Sequence, residues 1–510
     1  MKKKWLAAVM SVVLSLGILA GCGTQEQGEA SGDSQSQTGQ EEASGQGASE
    51  EEEPYEIVMA YFSMTNYADA AQVSEAMSEI TLEKINATVT LMPLDVASYV
   101  QQMTLMLSGD EKLDTLLISQ NFNMSSQIAQ GQLVDITDLV DTYCADAVEV
   151  IGAENLEGCK VGGVLYGLPP TKEYGVEYGA VMRKDLVEKY NIDTQSIQTW
   201  EDLGEVFQII KENEPDVYPL VSFDSATSIS EMILGSQFDL LQDKMGVVML
   251  DDESAQVVNL FETPEYEETL RLVNQWFNEG YVYEDITTTQ ETGSSLMAAG
   301  KAFAWLANMK PGYAEQETKN SGVELIQVNI SEPIACTQDV AALQMGIARN
   351  CQNVEKTLEF LNLLYTDADL MNLLANGIEG EHYVLNEEGK ATLPEGVTDS
   401  GYVFNHWEIG NNFITYLWDS DVDDLWTITE QFNESTKKSP AFGLSFDLNS
   451  VSTEVAAVNT VMSQYRMVLE NGTVDPDSML QEFQERLAAA GIDEIITVKQ
   501  EQMDAARAAQ

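Results

Sequence analysis

From residue 55 to 62 the chain is apolar almost without interruption, the pattern of a strand buried on both faces. Apolar residues then recur at helical spacing over 70–85, and 87–94 opens on a β-branched run, which predicts a helix and a second strand. A helix over 96–107 is expected to stop at Ser108-Gly109, before a short buried strand over 113–119. This order opens a parallel α/β architecture. Gln120-Asn121-Phe122-Asn123 follows the third strand, at the carboxyl end where open α/β sheets put their ligands. Residues 133–136 lead into another helix, and 163–169 read as a strand entering a Pro-Pro turn.

The first 53 residues show none of this patterning. Lys2, Lys3 and Lys4 precede an apolar run over 5–18, then Leu19-Ala20-Gly21 stands immediately before Cys22. That order is a signal peptide, 1–21, whose end resembles a bacterial lipobox. The resemblance implies cleavage before Cys22, a diacylglyceryl group on its thiol, and a chain anchored on the extracytoplasmic face of the cell membrane. Residues 22–53 are expected to form a disordered tether, because 23–53 hold no aromatic and no aliphatic larger than Ala, and nine acids. A flexible tether of this length reaches roughly 30 Å. No other stretch is long and apolar enough to cross a bilayer.

Length and charge narrow the remainder. A chain of 510 residues exceeds what one core usually serves, so at least two lobes are expected. The 84 Asp and Glu face only 25 Lys and Arg, for a net charge of −59. Without the leader and tether, 75 acids and 22 bases remain. Such a surface cannot replace the counterions of a nucleic acid, and it disfavours strongly anionic substrates. Cys144 and Cys159, and Cys336 and Cys351, are each fifteen residues apart. The spacing permits two local disulfides worth about 3 kcal/mol each, or four reduced buried thiols. Catalytic inventory is thin: His382 and His406 are the only histidines, and no nucleophile elbow, phosphate loop or zinc-protease motif occurs. Asp419, Asp421, Asp423 and Glu430 match a calcium-loop spacing, but Asp424 stands where that loop needs Gly, so no metal site and no cofactor is assigned. Trp200, after Thr199 as a helix cap, and Trp276 read as core.

A longer order of segments carries a family likeness. Leu113-Asp114-Thr115-Leu116-Leu117, Gly131-Gln132-Leu133-Val134-Asp135-Ile136, Tyr166-Gly167-Leu168-Pro169, Arg183-Lys184-Asp185-Leu186, Thr199-Trp200-Glu201-Asp202-Leu203 and Met297-Ala298-Ala299-Gly300-Lys301-Ala302-Phe303-Ala304 follow one another. Together they resemble the extracellular solute-binding proteins of ABC importers, in the branch related to maltodextrin-binding protein. The stretches 377–383 and 410–416 resemble a lipoprotein subgroup with its own C-terminal extension. The resemblance implies a two-lobed periplasmic-binding-protein fold of type 2 that closes on a ligand in its cleft, a monomer that hands its solute to the permease subunits of an importer. Crossings between lobes are expected near 166–170, 302–308 and 336–345. The first lobe would hold 54–168 plus about 305–340, the second 169–304 plus about 341–510.

Sugars present apolar CH faces and rings of hydroxyls, so a sugar cleft needs flat aromatics to stack on and amides or carboxylates to bridge hydroxyls. The expected loops supply them. Tyr61, Asn66 and Tyr67 follow the first strand, and Asn121 and Asn123 the third. Glu173, Tyr174 and Tyr178 follow the first crossing; Trp305 and Asn308 lie at the second. Glu379, Glu381, His382, Tyr383, Trp407 and Asn411 form a late group, with Asn405 and Asn412 beside them. Trp305 either stacks on sugar, as an aromatic near this point does in the resembling family, or plugs the core of one lobe. An oligosaccharide is the leading solute and a peptide or amino acid the alternative. A glycan-cleaving surface enzyme or an adhesin would also suit the anchor. Cys22→Ala is expected to release the chain from membranes without altering its melting temperature; fractionation that leaves the variant membrane-bound would refute the lipid anchor.

Overall fold

β1 (Tyr55–Ser63) has seven consecutive buried residues, Ile57 to Ser63, and takes an inner place in its sheet. The computed structural model describes residues 53–509; the leader, Cys22 and the acidic tether lie outside the described residues. β2 (Ala87–Asp95) and β3 (Thr115–Ile118) flank β1 in parallel. Helices Ala70–Ile85 and Val96–Ser108 connect them. Asn86 ends the first helix with φ 49°, a left-handed turn that asparagine tolerates. The Asp95 carboxylate starts the second by accepting the Ala97 N–H at 2.9 Å. β4 (Gly167–Leu168) is the last strand before the chain leaves this lobe.

The second lobe begins with β5 (Glu177–Arg183) and β6 (Tyr218–Val221). A small antiparallel sheet follows, made of β7 (Phe238–Asp239), β8 (Val247–Met249) and β9 (Val257–Val258). β10 (Ala302–Met309) then runs parallel to β6 and antiparallel to β5, with β11 (Leu325–Asn329) on the other side of β5. Through β12 (Ile334–Ala335) the chain returns to β13 (Gln344–Ile347), which lies antiparallel between β3 and β4. Helices Val354–Thr366 and Ala368–Asn376 cover that first sheet, followed by the hairpin β14 (Val384–Leu385) and β15 (Ala391–Thr392). Helix Leu425–Ser435 and β16 (Lys437–Lys438) lead to three terminal helices, Ser452–Glu470, Pro476–Ala490 and Ile492–Ala509. These terminal helices share a core with β7, β8 and the helix Pro264–Asn278 of the second lobe.

Several expectations change. Residues 302–308 are not a crossing, because β10 is an inner strand of the second sheet. A fully apolar run suits either role, and only its pairing with β5 and β6 separates them. Residues 305–329 therefore stay in the second lobe, while 344–376 belong to the first. The strand expected over 163–169 shrinks to two residues. All four described cysteines are free thiols. Cys144 donates to the Leu358 carbonyl and Cys351 meets the Thr357 hydroxyl, so each is committed elsewhere. Burial pushes the Cys144 thiol up to about 12 and raises Cys159, Cys336 and Cys351 as well. Trp200 and Trp276 are buried as expected, but Thr199 does not cap: the Asp202 carboxylate accepts the Gln198 and Thr199 N–H groups at 2.9 Å each.

Three crossings join the lobes: residues 169–176, 330–343 and 415–451. They lie side by side. Val176 and Ile334 exchange backbone hydrogen bonds at 2.8 and 3.0 Å, and β12 pairs in parallel with β16. Asn433 receives the Tyr174 N–H and donates to the Lys172 carbonyl, both at 2.8 Å. Gly175 permits this approach, since a Cβ there would meet Thr436 Cγ2 at 2.5 Å and the Ile334 carbonyl at 2.9 Å. Gly175→Val is expected to lower unfolding stability by roughly 1–3 kcal/mol through overpacking. Urea denaturation of the variant checks this, and an unchanged midpoint would show that the ribbon of crossings is loose.

Candidate functional site

The carboxyl ends of β1 and β3 meet the segment 405–409. Ser119 caps a short turn after β3 by accepting the Asn121 N–H at 3.2 Å. That turn aims Phe122 at Phe62, whose ring centroids stand 5.1 Å apart. Trp407 lies on the other side of Phe62 at 6.1 Å, and Tyr99 backs Phe122 at 5.3 Å. Phe122 and Trp407 are half-buried, so this wall keeps ring surface open to solvent. Asn121 and Asn123 are exposed beside it, Asn123 in the left-handed region at φ 65°. The loop after β1 is tied to the residues just before that segment: Asn66 donates to the Ser400 carbonyl at 3.1 Å, and its own carbonyl accepts the Val403 N–H at 2.8 Å. Met64 and Tyr67 remain exposed at this rim, at 58% and 37%.

The other side of the segment faces the crossings. The His406 ring stands edge-on to Trp426 at 6.2 Å, and Trp426 to Phe413 at 5.9 Å. The Trp426 N–H donates to the Thr415 carbonyl at 2.9 Å. Burial, reinforced by nearby Lys310, pushes the His406 imidazole down to about 4, so it is neutral at physiological pH. Glu173, in the first crossing, accepts from Lys172 at 2.8 Å and from Lys310, just past β10, at 3.0 Å. Burial opposes its charge, but the two ammonium groups prevail and hold it at about 2. This ion triad joins the first crossing to the second lobe. Lys319 lies over the Trp418 ring at 5.7 Å, a further cation near His406.

The remaining candidates are placed as follows. Tyr61 is buried against Phe404, edge-on at 5.1 Å, and Tyr178 is buried in the second lobe against Gly235. Tyr174 packs on the first lobe's core, and Asn308 is exposed on β10. Trp305 is 0% exposed, within a core that includes Val181, Val221 and Leu296. His382 is buried too; its Nδ1 accepts the Ile378 N–H at 2.9 Å and its Nε2 lies 3.5 Å from Asp69. Tyr383 is buried nearby, and Glu379 and Glu381 are exposed on the same turn. Asn411 donates to the Tyr365 carbonyl at 3.1 Å and Asn412 to the Thr171 carbonyl at 3.2 Å, so both brace the first crossing. Asn121 and Asn123 thus lie on the turn of Phe122, Trp407 packs on Phe62, Asn66 and Tyr67 lie on the loop after β1, and Glu173 lies in the first crossing. Trp305 and the 379–383 group lie apart in core or turn. Phe62, Phe122, Trp426 and Lys310 were not singled out in the sequence. Phe122 could have been, as it stands inside the segment already flagged by Asn121 and Asn123.

The acidic stretch 419–430 is occupied internally. Lys390 pairs with Asp423, and its ammonium also reaches the Asp421 carbonyl at 3.2 Å. Among the described residues no group of three or more His, Cys, Asp or Glu side chains is arranged to hold a metal ion. A separate cavity of about 780 Å³ opens between β16 and the last helix, lined by Lys437, Lys438, Phe442 and Arg507; none of the expected ligand residues lines it.

Residues 63–371 match the model of the family described as bacterial extracellular solute-binding protein, and 440–508 match a domain of unknown function. A carbohydrate ABC transporter substrate-binding protein of Streptococcus pneumoniae is 26% identical over 84% of this chain and 86% of its own length. A polygalacturonan/rhamnogalacturonan-binding protein of Bacillus subtilis is 22% identical over 78% of this chain and 77% of its own. The crystal structure of an N-glycan transport solute binding protein from S. pneumoniae matches with a TM-score of 0.79 at 24% identity, covering 88% of this chain and 98% of that one. Its complexes with Man1GlcNAc and Man5GlcNAc match with TM-scores of 0.71 and 0.68. The likeness extends through the C-terminal helices.

Trp305→Ala is expected to cost about 3–5 kcal/mol of stability, as for a large core aromatic. Chemical denaturation measures it, and a loss below about 1 kcal/mol would show that the ring is dispensable to the core.

Proposed function

We propose that this chain, which belongs to the bacterial extracellular solute-binding protein family, captures an oligosaccharide between its lobes and delivers it to the permease subunits of an ABC importer. The observation that carries the reading is the segment 405–409, which places Trp407 on the wall of Phe62 and Phe122 and turns His406 toward Trp426 and the Glu173 triad. Partly exposed rings match the CH faces of pyranose units, and the exposed amides of Asn121 and Asn123 suit paired hydroxyls. The site offers surfaces to bind with and no activated nucleophile: the imidazole is neutral and away from any serine or cysteine partner, and the buried thiols are raised. The carbohydrate transport and binding named in the S. pneumoniae and B. subtilis relatives supports the same reading.

Delivery to a membrane permease suits a monomer held at the membrane through Cys22, on a tether long enough to let the lobes reach their partner. Lobes joined by three adjacent crossings suit closure by rotation about that ribbon, which would bring Asn308 and Lys310 toward the aromatic wall. Glycan cleavage is not part of the proposal.

A thermal-shift screen of the purified chain against oligosaccharides and short peptides tests the function. A saccharide that raises the melting temperature and is recovered intact supports it. Stabilisation by peptides alone, or a shortened glycan, would overturn it. Trp407→Ala is expected to weaken saccharide binding by about 1–3 kcal/mol with the fold retained, measured by titration calorimetry.

A further inference from the structure

Glu408 closes the short turn His406–Glu408 and is 0% exposed. Asn405 donates to its Oε1 at 3.0 Å, while its Oε2 has no hydrogen-bond partner. Three tyrosines are near enough to feel its charge: Tyr61 from β1, Tyr99 from helix Val96–Ser108 and Tyr402 from the preceding loop. The Tyr99 hydroxyl is committed to the Leu117 carbonyl and that of Tyr402 to the Leu374 carbonyl, both at 2.7 Å. Each ring is held neutral, and no cation acts on the carboxyl. A buried carboxyl without a counter-charge gives up its charge.

We infer that Glu408 is a positioning residue for the saccharide site: its carboxyl, fully buried without a counter-charge and tied to Asn405, fixes the turn that presents His406 and Trp407. The inference rests on the saccharide reading above only where affinity is concerned; the anchoring of the turn is a property of the free protein. Burial lifts the carboxyl to about 8, so the turn is held at neutral pH and loosens in alkaline medium. The sign follows from proton linkage. The folded state keeps a proton that the unfolded chain has lost, so the contribution to stability is full below the ordinary carboxylate range and falls as pH rises to about 8.

The test compares the full chain with Glu408→Gln, which keeps a neutral side chain at every pH, and Glu408→Ala, which keeps none. Hydrogen exchange of residues 405–409 at matched pH from 6.5 to 9.5 reads the turn without ligand. Titration calorimetry with Man5GlcNAc as probe reads the site. In the native chain, protection of the turn is expected to fall with a midpoint near 8 and affinity to drop by up to about tenfold per pH unit above it. Glu408→Gln should stay flat on both measures, and Glu408→Ala should be loose throughout. A Gln variant that follows the native pH course, or that is as loose as the Ala variant at pH 7, would overturn the inference. If Man5GlcNAc binds none of the three, the affinity claim falls with the saccharide reading, and the exchange course alone decides whether Glu408 holds the turn.

Discussion

Everything in this molecule hangs on three short segments that run between the lobes in mutual contact. The first touches the second through the Val176 and Ile334 backbones, and the second touches the third through β12 and β16. Asn433 closes the set by serving both the Lys172 carbonyl and the Tyr174 amide. Backbone groups buried at such a junction need partners, and here each crossing supplies them to its neighbour. Gly175 makes the spacing possible, because any side chain there would push two crossings apart.

The same junction shows how a very acidic chain uses few bases. Lys172 and Lys310 share Glu173; Arg466 binds Glu231 and Glu470; Lys499, itself buried, binds Asp243. Lys310, Arg466 and Lys499 each hold a carboxylate from a distant part of the sequence. The Arg466 and Lys499 pairs fasten the terminal helices to the second lobe. Two buried carboxyls outside any ion pair are pushed toward the neutral form. Asp339, at the second crossing, is lifted to about 7 by burial and by nearby Asp239, and Glu408 to about 8 by burial.

Segment 405–409 links these two themes. Its three side chains point to three environments: His406 to the crossings, Trp407 to the aromatic wall, Glu408 to the buried interior. A short turn can do this because its successive side chains diverge by about a third of a revolution.

The sequence by itself determined the first βαβαβ unit almost to the residue. Helix Ala70–Ile85 matches its expected bounds, since apolar spacing, the Asn86 stop and strand alternation all act locally. It also determined the two-lobed class. Tertiary structure alone decided the rest. An apolar run such as 302–309 reads the same whether it crosses between lobes or fills the middle of a sheet, and its pairing with β5 and β6 made the choice. Trp305 went to the core for that reason, because an inner strand of a covered sheet buries both faces. Equal cysteine spacing could not show that Leu358 and Thr357 would take the contacts of Cys144 and Cys351. Nor could any local pattern reveal Glu408, whose carboxyl is stripped of solvent only when distant parts of the chain fold over it.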